Sequence, residues 1–191
     1  KKVLLVFAHP RNDSLTAQVA SEFASRLSLK GHEVEIANLV AESSNPVLQQ
    51  DDEPDWNDPK KMYSAAVQDE MDRIRRNDAM VLIFPVWWWS MPAVLKGWID
   101  RVWNNGFAYG FDDSESRFPH ERVWMVGVAG SDQVAFLKRN YDEAMRIQLE
   151  EGILGYCGIK DRKLTLFYGA NDGPEQGERI LHQARELAEK F

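Results

Sequence analysis

Apolar runs alternate along the chain with segments of helical periodicity. Residues 3–8 form a continuous apolar run, as expected for a strand that is buried on both faces of a parallel sheet. Residues 33–39 alternate between apolar and charged positions instead, which predicts a strand nearer the sheet edge. Further strands are predicted at residues 79–84, 123–128 and 163–168. The pattern therefore predicts five strands, with residues 3–8 as the central one.

Helical patterns lie between and after these strands. Ser14 is a good N-cap, and the apolar residues after it recur at i, i+4 spacing until Gly31, where a helix would end. Further helices are predicted over residues 67–76, 92–102 and 175–190. Alternating strands and helices with short connections favour a doubly wound parallel sheet with helices on both faces, in a single domain that spans residues 1–191.

Residues 45–61 break this alternation. They hold Pro46, Pro54 and Pro59 among several acidic residues, which predicts an excursion over the surface rather than a regular element. The acidic residues 51–58 lack the spacing of a calcium-binding loop. This run is therefore predicted to be solvated.

Composition argues against several classes of function. The net charge of −7 disfavours a nucleic-acid partner, which requires clustered cations. No apolar run approaches the ~20 residues that cross a bilayer, so membrane insertion is not expected. The single cysteine, Cys157, excludes an internal disulfide and favours a reducing, cytoplasmic location. The four histidines have no zinc-binding spacing, so no metal site is expected.

Candidate chemistry lies in the loops that follow the strands, because ligands of open parallel sheets bind outside the carboxyl ends of the strands. Residues 9–16 lead into a helix N-terminus, which favours a phosphate. The hydroxyls of Ser14 and Thr16 and a cationic His9 or Arg11 would assist it, although Ser14 could equally be only a helix cap. Residues 85–92 add flat apolar surface and backbone donors. Residues 129–131 permit close backbone approach. No GxGxxG or P-loop motif is present, so a phosphate site must use a hydroxyl-bearing loop.

Three tryptophans stand consecutively at residues 87–89. On a strand or a helix, consecutive side chains point in different directions, so one packing face cannot bury all three rings. A planar ligand, a second subunit or both are therefore expected to cover part of this surface. Flat apolar rings beside backbone donors suit the isoalloxazine ring of a flavin.

Four motifs occur in order along the chain: AHP at residues 8–10, FPVWWWSMPAVLKGWIDRV at 84–102, GFAYGF at 106–111 and GILGYCGI at 152–159. Through these motifs the chain resembles the NAD(P)H:quinone oxidoreductases related to DT-diaphorase, within the flavodoxin-like flavoenzymes. The resemblance covers nearly the whole chain. It implies a flavodoxin-like fold and an enzyme that transfers two electrons, as hydride, from NADH or NADPH through a flavin to quinones or related electrophilic aromatics by a ping-pong mechanism.

The resemblance also implies the positions of cofactor and acceptor. The residues implied to bind the flavin are His9, Ser14, Leu15, Thr16, Pro85, Val86, Trp87, Trp88, Trp89, Asp100, Ala129, Gly130, Ser131 and Arg179. The residues implied to bind the acceptor, in a pocket shared between the subunits of a homodimer, are Trp88, Tyr109, Phe111, Phe136 and Tyr156. The candidate catalytic residues are Trp88, Tyr109, Gly130 and Arg139. Phe136 and Arg139 stand where DT-diaphorase has a tyrosine and histidine proton relay, so that relay is not expected here.

The segment at residues 40–66 resembles the longer segment of the FAD enzymes rather than that of their shorter, FMN-binding relatives. FAD is therefore predicted, with FMN as the alternative. Two other functions remain open at this stage: a regulatory subunit that binds a potassium-efflux transporter peripherally, and a one-electron carrier of the flavodoxin type.

Overall fold

A five-stranded sheet lies at the centre of the protein. The computed structural model describes residues 1–110 and 118–191. The strands are β1 (Lys2–Phe7), β2 (Glu33–Asn38), β3 (Ala79–Pro85), β4 (Arg122–Val128) and β5 (Asp161–Phe167). Neighbouring strands pair in parallel in the order β2-β1-β3-β4-β5. The predicted doubly wound sheet is confirmed, and its order is that of flavodoxin-like folds.

Helices cover both faces of the sheet. They are α1 (Leu15–Leu29), α2 (Ala65–Arg75), α3 (Ala93–Val102), α4 (Gln133–Lys138), α5 (Tyr141–Met145) and α6 (Pro174–Lys190), with a 3₁₀ turn at Gln50–Asp52 and a π-helical segment at Arg146–Gly155. Phe23 of α1 and Ile180 of α6 are buried in one apolar layer, while Met71 of α2 and Leu95 of α3 are buried in the layer on the opposite face. Burial of each such side chain stabilises the fold by about 1.5–3 kcal/mol.

The first strand and helix follow the sequence pattern closely. β1 is an interior strand that is apolar on both faces, and β2 has mixed burial and lies at the sheet edge, as predicted. The prediction that residues 3–8 form the central strand is wrong, because β3 is the middle strand of the order; both strands are continuous apolar runs, so the apolar pattern alone does not rank them. Ser14 caps α1, because its Oγ accepts a hydrogen bond from the backbone N–H of Ala17 at 3.1 Å. The chain leaves the helix at Gly31, whose φ of +83° lies in the left-handed region that glycine tolerates.

Residues 133–155 contain helical structure that the apolar pattern did not indicate. α4 has only six residues, and the chain breaks before α5 at Asn140, whose φ is +55°. The following ten residues, Arg146–Gly155, are π-helical. A π-helix joins residues five apart, so its apolar positions do not recur at the 3.6-residue period by which an α-helix is identified.

In the structure the excursion extends two residues beyond the predicted bounds, over residues 45–63, and a buried ion pair ties it to α3. Asp52 is 0% exposed, and its Oδ2 lies 3.1 Å from a terminal nitrogen of Arg101. The same carboxylate accepts hydrogen bonds from the Ser64 backbone N–H at 2.8 Å and from the Ser64 hydroxyl at 3.0 Å. The prediction that the acidic run is solvated is therefore wrong for Asp52, because a cation 49 residues further along the chain accompanies it into the interior.

Two glycines allow the excursion to approach so closely. A Cβ atom added at Gly97 of α3 would overlap the carbonyl oxygen of Pro46, and one added at Gly106 would overlap that of Pro59. Gly106 also has a φ of +83°. Both positions therefore require glycine, and both hold the proline-rich excursion against the body of the protein.

The structure also bears on membrane and metal binding. In the two described ranges, no helix combines the length and the apolar character needed to cross a bilayer. Nor do residues 1–110 and 118–191 bring three or more His, Cys, Asp or Glu side chains together in an arrangement that could hold a metal ion.

Candidate functional site

Three loops meet at the carboxyl end of the sheet. β1, β3 and β4 are adjacent, with Phe7 opposite Ile83 and Pro85 opposite Val128. The loops after these strands therefore start side by side, where the winding direction reverses. They border an open cleft of about 270 Å³. Its lining residues are His9, Arg11, Ser14, Leu15, Thr16, Pro85, Val86, Trp87, Val128, Gly130, Ala170 and Asn171.

The N-terminus of α1 forms the first wall of the cleft. The Ser14 oxygen accepts from Ala17, which confirms the interpretation of Ser14 as a helix cap and leaves the hydroxyl proton able to donate. The backbone N–H groups of Leu15 and Thr16 belong to the first helical turn, where the helix itself offers no acceptor. The hydrogen bonds among the described residues supply them with none either. These N–H groups and the helix dipole suit a phosphate or another anion.

His9 stands beside this wall as a neutral imidazole. Its Nδ1 accepts a hydrogen bond from the backbone N–H of Arg11 at 3.0 Å, and its ring centroid lies 5.9 Å from that of Trp87. Partial burial lowers the pKa of His9, and this effect outweighs the hydrogen bond that a protonated ring would donate from Nδ1 to the carbonyl oxygen of Arg11, 3.2 Å away. The prediction of a cationic His9 is therefore wrong near neutral pH.

The second wall is a strained turn that carries the three tryptophans. Trp87 and Ser90 exchange backbone hydrogen bonds of 3.0 and 3.1 Å, and the two residues between them, Trp88 and Trp89, have φ values of +52° and +55°. Two positive φ values in a two-residue connection are typical of a type I′ turn. Left-handed backbone costs a residue with a side chain about 1–2 kcal/mol.

The tryptophan rings of this turn differ in their exposure to solvent. Trp88 is 88% exposed, whereas Trp89 packs on Tyr141 with ring centroids 4.5 Å apart. Ser90 of the turn donates from its hydroxyl to Gln148 Oε1 at 3.1 Å. The backbone strain is thus stabilised on one side of the turn, and a large apolar ring remains in solvent on the other. Such strain is characteristic of ligand sites.

The third wall combines the loop after β4 with the loop after β5. The backbone N–H of Ala170 donates to the carbonyl oxygen of Ala129 at 2.9 Å. The backbone N–H of Gly169 donates to the carbonyl oxygen of Ser131, also at 2.9 Å. A Cβ atom added at Gly130 would lie 2.6 Å from Nδ2 of Asn171, so this glycine lets the two loops pack against each other.

Sequence reasoning missed the contribution of the loop after β5. Ala170 and Asn171 line the cleft, although only the loops after the first, third and fourth strands were expected there. The sequence feature that could have indicated this loop is the segment 169–173, which has a glycine at each end and lies directly after the fifth predicted strand. The rule that ligands bind at the carboxyl ends of parallel strands applies to that strand as well.

A separate row of three aromatic rings lies outside the residues that line the cleft. The Tyr109 ring centroid is 5.8 Å from that of Trp56 and 5.4 Å from that of Tyr156. We call these three residues the aromatic row. Tyr156 is 60% exposed, and Tyr109 is partly buried. Burial raises the pKa of Tyr109 to about 12, so its phenol is protonated at physiological pH.

The structure places the remaining predicted residues away from the cleft lining. Asp100 is exposed on α3 and accepts from Lys96 Nζ at 2.6 Å, and Arg179 is exposed on α6, 3.4 Å from Gln176 Oε1. Arg139 is exposed at the end of α4. Phe136 is buried in the core, with its ring centroid 5.1 Å from that of Tyr168. Phe111 lies outside the described residues.

Comparisons with known proteins agree with this architecture. The model of a family described as having the flavodoxin-like fold matches residues 1–191. An uncharacterized NAD(P)H oxidoreductase of Escherichia coli, YcaK, is 34% identical, over 99% of this chain and 97% of its own length. NAD(P)H dehydrogenase (quinone) 1 of Cavia porcellus is 25% identical, over 91% of this chain and 70% of its own. The solved structure of an NAD(P)H:quinone oxidoreductase from Methanothermobacter marburgensis superposes with a TM-score of 0.89 and 30% identity, covering 98% of this chain and 94% of the other.

Proposed function

Because this chain belongs to the flavodoxin-like fold family, we propose that it is a flavin-dependent NAD(P)H oxidoreductase that reduces quinones or related electrophilic aromatics. One observation carries the proposal. The cleft at the winding reversal combines a helix N-terminus suited to phosphate with an adjoining turn of exposed tryptophans suited to a flat ring. The names of the relatives supply the donor and acceptor classes.

The residues of the cleft fit a flavin at both of its ends. The unpaired N–H groups of Leu15 and Thr16 and the Ser14 hydroxyl would hold the phosphate. The ring system would lie along the turn at residues 86–89, opposite Gly130, which lines the cleft and lets the loops after β4 and β5 pack together there. The cleft volume of about 270 Å³ is smaller than most ligand pockets, so part of a flavin would extend over the exposed turn.

When bound, the flavin would accept hydride from NADH or NADPH and pass two electrons to the acceptor. The protein groups would orient the reactants and exclude water. The neutral His9 would contact the ligand beside the α1 N-terminus without adding charge. Tyr109, whose pKa is about 12, would face the acceptor as a protonated phenol. The long segment at residues 40–66 favours FAD over FMN.

The acceptor pocket is proposed to form between two copies of the chain. Trp88 beside the cleft is almost fully exposed, and the aromatic row, with its exposed Tyr156, lies outside the cleft lining. Each surface offers one side of a pocket for a planar molecule, so a homodimer would complete it by placing the Trp88 surface of one subunit against the aromatic row of the other. A chain with a single cysteine forms no internal disulfide, which suits the proposed cytoplasmic location.

The decisive experiment loads the protein with FAD or FMN and follows the visible absorbance of the flavin by stopped flow. NADH or NADPH is expected to bleach that absorbance, and a quinone is expected to restore it. A protein that takes up neither flavin, or a loaded protein that neither nicotinamide reduces, would exclude the proposed function.

The position of the flavin is tested by Gly130→Val, which is expected to abolish flavin uptake because its side chain intrudes on the cleft wall. The same side chain overlaps Asn171, so the double variant Gly130→Val/Asn171→Ala removes the local collision. Both variants are expected to remain flavin-free. Recovery of uptake in the double variant would show that Gly130 serves only the packing of the two loops.

A further inference from the structure

The excursion at residues 45–63 contributes one of the three rings of the aromatic row, that of Trp56. Trp56 is 56% exposed, and its ring centroid lies 5.8 Å from that of Tyr109 at an interplanar angle of 37°. Tyr109 in turn neighbours Tyr156. Three rings from widely separated parts of the sequence therefore form one surface. The exposed part of Trp56 would contact a molecule that lies on that surface.

Buried hydrogen bonds fix the position of this tryptophan. The side-chain amide of Asn105, which is buried, donates to the carbonyl oxygen of Asp55 at 2.9 Å. The Tyr63 hydroxyl donates to the carbonyl oxygen of Asn105 at 2.9 Å. Gly106 admits Pro59 to the same segment. Because residues on both sides of Trp56 are anchored to the segment that leads to Tyr109, the ring contact is built into the fold and does not depend on a flexible loop.

The surroundings of Trp56 carry negative charge. Asp55 and Asp58 flank it at exposed positions, and their Oδ1 atoms accept hydrogen bonds from the backbone N–H groups of Asn57 at 2.9 Å and Lys60 at 3.0 Å. The nearby ammonium group of Lys61 is engaged elsewhere, because it donates to the carbonyl oxygen of Glu53 at 2.5 Å. Lys60 is the remaining exposed cation of this stretch. Asp55 directly precedes Trp56 in the sequence, and Asp58 follows it by two residues.

We propose that Trp56 is a specificity-determining residue of the acceptor pocket, and that with Asp55 and Asp58 it selects uncharged planar acceptors over anionic ones. This inference rests on the proposed function, because it takes the aromatic row as the surface that the acceptor covers. The indole extends that surface by one ring, and the two carboxylates repel an acceptor that carries a sulfonate or carboxylate.

The ring contribution is tested with Trp56→Ala in the flavin-loaded, full-length protein. The KM for 2-methyl-1,4-naphthoquinone is expected to rise about 3- to 10-fold, because the variant lacks one aromatic contact with the acceptor. Trp56→Phe keeps a ring and is expected to restore most of the affinity. Met62→Ala is the matched control, because it removes a more exposed apolar side chain from the same excursion and is expected to leave KM unchanged. Equal KM values for wild type and Trp56→Ala would overturn the role of the ring.

The charge contribution is tested with Asp55→Asn/Asp58→Asn, in which each side chain keeps an oxygen that accepts the local backbone hydrogen bond. For a sulfonated naphthoquinone, kcat/KM is expected to rise about 4-fold, which corresponds to a factor of about 2 for each charge at roughly 10 Å in water. The value for the neutral quinone is expected to stay constant. In the wild type, added salt is expected to raise kcat/KM for the anionic acceptor only.

The outcomes separate this inference from the proposed function. If wild type fails to bind flavin or to accept electrons from a nicotinamide, the proposed function fails. If wild type reduces both quinones but Asp55→Asn/Asp58→Asn changes their kcat/KM values by the same factor, the proposed function stands and the charge selection is refuted. Thermal unfolding and flavin content, measured on every variant, show whether a change in KM comes from a disturbed fold.

Discussion

Replacement of Asp52 by alanine is expected to destabilise the protein severely. The side chain is fully buried and accepts three hydrogen bonds, two from Ser64 and one from Arg101. Burial alone would raise the pKa of Asp52, but these hydrogen bonds outweigh it and hold the pKa below its ordinary value. The Arg101 side chain is only 12% exposed, so Asp52→Ala leaves a buried cation without its counter-charge. Breaking such a pair costs about 3–5 kcal/mol, a large part of an ordinary domain's stability.

A double-mutant cycle with Asp52→Ala and Arg101→Ala measures this interaction by urea unfolding at pH 7 without added flavin. Removal of both partners is expected to cost less than the sum of the single changes, with a coupling energy of about 2–3 kcal/mol, because the double variant leaves no unpaired charge. The exposed pair of Lys96 and Asp100 on the same helix is the matched control, with an expected coupling of only about 0.3–0.5 kcal/mol. Additive effects of Asp52→Ala and Arg101→Ala would refute the argument that the ion pair anchors the excursion.

Three further changes test features of the fold. Glu35→Gln is expected to lower the free energy of unfolding by about 1–2 kcal/mol at pH 7. Arg76 and other hydrogen-bond donors lower the pKa of Glu35 to about 2. The difference in unfolding free energy between wild type and Glu35→Gln is therefore expected to persist above pH 4.5 and to disappear as the pH falls towards 2. Urea titrations across that pH range measure this difference. Gly106→Ala is expected to destabilise the protein by at least about 2 kcal/mol more than Gly31→Ala. Both glycines have a φ of +83°, but only an added Cβ at Gly106 would collide with the backbone of Pro59. Equal losses in melting temperature would show that Pro59 moves to admit the Cβ. Trp88→Asn is expected to stabilise the flavin-free protein by up to about 1 kcal/mol, because asparagine tolerates left-handed backbone and the ring that is lost is exposed. A lower melting temperature for this variant would contradict the strain assigned to the turn.

The sequence was most informative where local patterns agree with tertiary packing. The apolar residues at 3–8 and the cap at Ser14 identified β1 and the start of α1, because burial on both faces and helix capping have direct sequence signatures. The loops after β1, β3 and β4 were also predicted to meet, since strand ends in a parallel sheet converge by geometry.

Features that depend on distant partners could not be predicted in this way. The burial of Asp52 depends on Arg101, and the approach of Trp56 to Tyr109 depends on Asn105 and on a glycine that admits the excursion. The π-helical segment has a period that no α-helical or strand pattern matches. In each case the structure is set by contacts between residues far apart in the chain.

The uneven exposure of the seven tryptophans gives the protein a natural optical signal. Trp98, Trp103 and Trp124 are buried, whereas the indoles of the strained turn are open to water. Solvent relaxation shifts the fluorescence of exposed indoles to longer wavelengths, so the red edge of the emission spectrum reports on the turn and on Trp56, and the blue edge on the core. A molecule that settles on the turn would quench the red edge first, while global unfolding would move the whole spectrum.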